Sequence, residues 1–243
     1  MRRDAMIKIG CCGWAESQKN YYRDFDVVEV QETFYQPGRI EKYEKWRHDA
    51  PAGFEFTVKA WQLITHEASS PTYRKLKSAI PDVKKNRYGS FRPTEEVFAA
   101  WDVVDMCAQA LEARVILFQS PSSFEPSPDN KRNLRTFFKK IDRRDCLLCW
   151  EPRGDWQDKD IKRICSDLDL VHCVDPFKSK PVHGRVRYVR LHGRPGYNLR
   201  YCYTEEDLQE LLGMIDRKTV HVLFNNLNML HDARQLQRLI AKS

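Results

Sequence analysis

Residues that could carry chemistry recur at regular places in this chain. Trp14, Glu29, Lys59, Gln119, Glu151, Asp175, His192 and Asn225 each stand at or just after the end of a short apolar run. Glu29, Glu151, Lys59 and His192 are groups that give or take protons, and Arg153 and Arg190 add guanidinium forks suited to phosphate or carboxylate. Gathered at one place, such a set supports general acid/base chemistry on an anionic substrate held in a fixed positive field.

The runs that must position them are Met6 to Ile9, Val27 to Val30, Phe54 to Val58, Val115 to Phe118, Leu147 to Trp150, Leu170 to Val174, Val186 to Leu191 and Val220 to Phe224. Strands of this length separated by helical stretches predict a parallel α/β barrel of the TIM type, (β/α)8, with its active site at the C-terminal strand ends. The 243 residues, 42% of them apolar, suit one such domain over 1–243. Helical periodicity marks Glu41 to His48, the stretch opened by Thr94 as N-cap, Leu134 to Ile141, Ile161 to Leu168, Glu205 to Ile215 and Leu230 to Ile240. The third connection, Ala60 to Ala113, is much the longest and is expected to supply a loop over the barrel mouth.

Alternation sorts the strand residues by face. It points Glu29 and Gln31 inward on the second strand, Glu55, Thr57 and Lys59 on the third, Val115, Leu117 and Gln119 on the fourth, and Leu147, Cys149 and Glu151 on the fifth. The seventh contributes Tyr188, Arg190 and His192, and the eighth His221, Leu223 and Asn225. Glu55 lies deeper and reads as structural. Glu29 and Glu151 have a bland alternative to catalysis, a buried network with Lys59, Arg153 or Arg190. The C-x-x-C pair Cys146 and Cys149 would project from opposite faces of one strand, which argues against a shared metal, and eight cysteines in a chain of this length are expected as reduced thiols.

The motifs Gly10-Cys11-Cys12-Gly13-Trp14, Val28 to Tyr35, Phe56 to Lys59 followed by Ile64-Thr65-His66, Gln119 to Phe124, Glu151-Pro152-Arg153, Arg190 to Gly193 and Phe224-Asn225-Asn226 run in an order that resembles the YecE-like family, domain of unknown function 72. The resemblance extends from about Ile7 to the last helix. It implies the (β/α)8 barrel inferred from the strands, and a sugar-isomerase-related label that carries no defined activity. Two departures stand out: Gln31-Glu32 replaces the family's usual Asn, and Cys11-Cys12 replaces its Thr-Ser, which weakens any hydroxyl hydrogen bond there.

These features predict an enzyme acting on a phosphorylated sugar or nucleotide-like small molecule, as an isomerase, lyase or hydrolase. Glu151 or Glu29 is the expected base and His192 or Lys59 the acid or electrophile, with Trp14, Tyr35, His66, Gln119, Arg153, Arg190, Tyr201 and Asn225 lining the substrate. Phe124, Trp156, Tyr197 and Tyr203 are further candidate stacking surfaces. The net charge of +7, from 41 Lys and Arg against 34 Asp and Glu, leaves nucleic-acid binding or cleavage as a second reading, and a non-catalytic ligand-binding barrel is a third. Glu29, Glu151, Asp175 and His192 are suitable residue types for a divalent ion, crowded cations at the mouth argue against one there, and no cofactor or oligomeric state is indicated. The N-terminus lacks a signal peptide's apolar run and no stretch approaches the roughly 20 apolar residues of a membrane helix, so a cytoplasmic protein without membrane partners is expected.

Overall fold

Strands whose two faces are both covered pair in parallel and need long crossovers, and this chain supplies them in sequence. The computed structural model describes residues 7–215 and 220–242. Its order is β1 (Ile7–Cys12), α1 (Gln18–Asp24), β2 (Val27–Val30), α2 (Glu32–Tyr35), α3 (Ile40–Asp49), β3 (Glu55–Lys59), α4 (Gln62–Thr65), α5 (Glu95–Ala110), β4 (Val115–Gln119), α6 (Pro128–Lys140) and β5 (Leu147–Glu151). There follow α7 (Asp158–Leu168), β6 (Val171–His172), β7 (Arg187–Leu191), α8 (Glu205–Met214), β8 (Val220–Phe224) and α9 (Met229–Ile240). Met6, which opens the first apolar run, lies outside the described residues.

The strands pair in the order β6-β5-β4-β3-β2-β1-β8-β7. A parallel bridge between Val174 and Val189 brings the two ends together, with Arg190 N donating to Val174 O at 2.9 Å. The chain is a (β/α)8 barrel whose sixth crossover, from β6 to β7, carries no helix.

Alternation holds strand by strand. Cys12, Val27, Val115, Leu117, Cys149, Val171, Cys173, Tyr188 and Leu223 fill the barrel interior. Their neighbours Cys11, Val28, Ile116, Leu148, Trp150, Val189 and Phe224 join the layer between strands and helices. Cys149 faces in while Cys146 packs half-buried on the outer layer, so the C-x-x-C thiols diverge, and all eight cysteines are free. Toward the strands' N-terminal ends, Glu55 is paired with Lys8 and hydrogen-bonded to His221 Nε2 at 2.9 Å.

The third connection has two parts. Its inner part, Gln62 to His66, is buried and is laced to its return by Gly89 N to Leu63 O and Phe91 N to Ile64 O, both 2.8 Å. The outer part holds two 3₁₀ turns, Pro71–Lys75 and Asp82–Arg87, and leans on the second connection: Lys77 N donates to Gln36 Oε1 and the Lys75 ammonium sits over the Tyr35 ring. Thr94 caps α5 as its sequence predicts, accepting from Val97 N.

Candidate active site at the barrel mouth

Arg190 is the hub. The inward parity of β7 carries its side chain into the barrel with no solvent exposure, where a guanidinium requires carboxylates on its fork. Nη1 donates to Glu151 Oε2 at 2.6 Å and Nη2 to Glu29 Oε1 at 2.9 Å. Tyr188, two residues earlier on the same face, donates to Glu29 Oε2 at 2.7 Å and accepts from Thr57 Oγ1 at 2.8 Å. The Gln31 amide also donates to Glu29.

Glu151 is shared with a second guanidinium. Arg153 Nε donates to its Oε1 at 2.8 Å. Burial alone would raise the Glu151 pKa, but Arg190, Arg153, His192 and Lys59 together hold it far below the ordinary carboxylate range. Arg153 Nη2 donates to His192 Nε2 at 2.8 Å, which makes that nitrogen an acceptor and places the imidazole proton on Nδ1, 3.4 Å from Asp175 Oδ2. Burial lowers the His192 pKa, with Arg190 and Arg153 pushing the same way against Asp175 and Glu151, so the ring is neutral. Asp175 is fixed in turn by His192 N at 3.0 Å and Phe177 N at 3.2 Å. At the lip stands Tyr197, 48% exposed, with Arg153 3.9 Å and Lys178 3.0 Å from its ring centre and His192 edge-on at 4.8 Å.

Lys59 is the exception among these cations. It ends β3 only 6% exposed, yet no described residue offers it a hydrogen bond or a carboxylate within ion-pair distance; its ammonium rests 4.0 Å above the Phe34 ring. Burial, helped by Arg190, pulls its pKa down to about 7 against Glu29 and Glu151. His66, edge-on to the same Phe34 ring at 5.0 Å, is brought down to about 3 by burial and by the charges of Lys59 and Arg153.

Glu29, Lys59, His66, Glu151, Arg153, Arg190 and His192 therefore share one mouth, and Gln119 and Asn225 stand half-buried at the ends of β4 and β8. Glu29 is enclosed, both its oxygens taken. Trp14 requires a correction: Gly13, at φ +103°, turns the chain outward, and the indole packs edge-on against Tyr21, Tyr22 and Trp46 on the outside of the barrel. Tyr201 also serves elsewhere, donating to Asp207 Oδ2 at 2.6 Å at the start of α8, and Tyr35 lies under Lys75 in the outer connection. Phe124, Trp156 and Tyr203 are buried in the outer core, so Tyr197 alone of the further stacking candidates stands at the mouth. Asp175, Tyr188, Lys178, Gln31 and Phe34 belong to the site although none is among the catalytic or substrate-lining residues expected from the sequence. For Asp175 the signal is present, since it closes the sixth apolar run.

Every carboxylate oxygen of Glu29, Glu151 and Asp175 already accepts a hydrogen bond. The group here without a hydrogen-bond or ion-pair partner among the described residues is the Lys59 ammonium, so the mouth offers positive charge to a ligand.

Similarity to known proteins fits this architecture. The UPF0759 protein YunF of Bacillus subtilis (strain 168) is 26% identical over 268 residues, covering 91% of this chain and 89% of its own. A crystal structure of a DUF72 family protein from Enterococcus faecalis V583 superposes with a TM-score of 0.76 at 19% identity, covering 100% of both chains. At lower similarity the fold recurs in endonuclease IV from Thermus thermophilus, with a TM-score of 0.56, 11% identity, and 99% and 100% coverage. The family described as protein of unknown function DUF72 matches residues 8–243, and this chain belongs to it.

Proposed function

We propose that the mouth is an enzyme site for a small anionic molecule, a phosphorylated sugar or a nucleotide-like compound, on which it performs proton transfer. The observation that carries this reading is Lys59: a buried amine with no carboxylate partner, beside Arg153, in a mouth whose own acids are fully engaged. An anionic group would complete the missing pairing. Arg153 would hold it as a fork, and in turning toward it would release His192 Nε2. Lys59, whose pKa of about 7 the anion's charge would raise so that the amine is held protonated, is then the acid, and the freed imidazole, oriented by Asp175, the base. Glu29 and Glu151 act in this scheme as the frame that fixes Arg190, a different role from the base their residue type suggests.

The test is thermal stabilisation by phosphate, sugar phosphates and nucleotides, since a ligand that binds the folded state raises its melting temperature by mass action. At least one should raise the melting temperature of the wild type and leave Lys59→Met unmoved. A panel that shifts neither protein, even at millimolar concentration, refutes the reading.

Nucleic-acid binding is the second reading, supported by the net charge and by the fold shared with endonuclease IV. Against it, cations in the basic clusters at 84–87, 131–132 and 143–144 are paired with acids: Lys84 and Arg87 with Glu96, Lys85 with Asp82, Arg132 with Asp129 and Arg144 with Asp105. Gel shift at two salt concentrations separates the two, because phosphate-driven binding must weaken steeply with salt.

A further inference from the structure

Away from the mouth's acid/base groups, three side chains of different chemistry converge on the rim. Cys202 lies in the connection from β7 to α8, and His231 and Asp232 lie in the first turn of α9. Cys202 Sγ is 3.6 Å from His231 Nδ1 and 3.3 Å from Asp232 Oδ1, and those two atoms are 3.1 Å apart. All three atoms lie within 4.8 Å of one another, and each can present a lone pair once the thiol is deprotonated and the imidazole carries its proton on Nε2.

We propose that Cys202, His231 and Asp232 form a binding site for a borderline divalent transition ion, Zn²⁺ being the natural occupant, with its fourth position open to solvent. The distances match. Tetrahedral bonds of about 2.3 Å to sulfur and about 2.0 Å to nitrogen and oxygen set the sulfur about 3.5 Å from the other two ligands and these about 3.3 Å from each other. A thiolate beside an imidazole selects zinc or cobalt over magnesium or calcium, which prefer oxygen alone. A neutral imidazole, one carboxylate and one thiolate also balance the ion's two charges.

The surroundings fix the ligands as a metal site requires. Asp232 is fully buried, and its second oxygen accepts from Asn226 Nδ2 at 2.6 Å, which leaves Oδ1 directed at the other two donors. The same Asn226 amide donates to Tyr201 O at 2.8 Å, the residue before Cys202. Leu227 N to Leu199 O at 2.7 Å and Asn228 Nδ2 to Tyr201 O at 3.2 Å add further ties between the two segments. Cys202 and His231 are both exposed, so an ion has a path in. On binding, the sulfur exchanges its proton for the metal bond and the proton leaves to solvent; no electron is transferred.

Co²⁺ added to the full chain is the direct probe, because a cobalt–thiolate bond gives a near-ultraviolet charge-transfer band and a tetrahedral site gives intense visible bands. Both are expected at one equivalent, bleached by Zn²⁺. Cys202→Ser should remove the charge-transfer band, and His231→Ala should weaken Co²⁺ binding about tenfold or more, while Cys146→Ser, which alters a half-buried thiol elsewhere, should change neither. No band in the wild type, or a band that survives in Cys202→Ser, overturns the proposal. Both altered ligands stand at the surface, so folding of the variants, checked by circular dichroism, is expected to be normal.

Discussion

Lys59 shows what a single side chain can cost and what it can do. Its ordinary pKa of 10.5 falls to about 7 in the folded barrel, chiefly through burial. Between those values the unfolded chain holds a proton that the folded chain does not, so stability rises with pH across that window; below it both states are protonated and the full cost of the buried charge remains. Each tenfold change in an acid constant is worth about 1.4 kcal/mol, so Lys59→Met should be more stable than the wild type at pH 7 by a few kcal/mol and should lose the rise from pH 7 to 10. Urea denaturation at the two pH values measures both, and a variant less stable than the wild type at pH 7 would contradict this account. Arg190 is the opposite case: Arg190→Met leaves Glu29 and Glu151 buried without their fork, and should cost about 3–5 kcal/mol in the same measurement. That Glu29, Glu151 and Arg190 meet could be read from residue type and strand parity. That the carboxylates are occupied frame and Lys59 the unpaired group could not, because partners across the barrel, 161 residues apart for Arg190 and Glu29, depend on how strands separated by whole crossovers lie side by side.

At the scale of elements, period-2 alternation settles far more than the chemistry of the strand ends. It separates Cys149 from Cys146 and puts Glu55 below the mouth, where His221 and Lys8 outweigh the effect of burial and take its carboxyl to about 2 from 4.5. A carboxyl lowered in the folded state contributes stability that is complete above pH 4.5 and disappears as the pH falls toward 2. Glu55→Gln should flatten that part of the acid-unfolding curve, as followed by far-ultraviolet circular dichroism. Alternation ends with the strand, however, and the next residue goes where the turn sends it. Trp14 was legible as aromatic and well placed in sequence, but one left-handed glycine before it decides which side of the barrel it joins. The third connection was likewise legible in length alone, since a segment with short 3₁₀ turns and scattered apolar residues has no period to reveal its path.

The whole molecule is a ring closed unevenly. No helix among the described residues is long and apolar enough to cross a membrane. Between β4 and β5 five residue pairs are in register, from Val115 with Leu147 to Gln119 with Glu151, whereas β6 and β7 meet at the one bridge of Val174 and Val189. Backbone amides of 171–174 should exchange with deuterium faster than those of 115–119, and equal protection would mean that the seam is as firm as the rest. The connection after β7 leaves His192 through Gly193, at φ +89°, where a Cβ would fall 1.9 Å from Asn198 O and 2.8 Å from the Tyr201 side chain. The segment thus doubles back onto its own root, with Tyr197 on one limb and Cys202 on the other. Any side chain at 193 would pry the two limbs apart, displacing the aromatic lip and the sulfur in one movement. One hydrogen's width of clearance therefore joins the cationic mouth and the Cys202 rim into a single mechanical part, and neither can be remodelled there without disturbing the other.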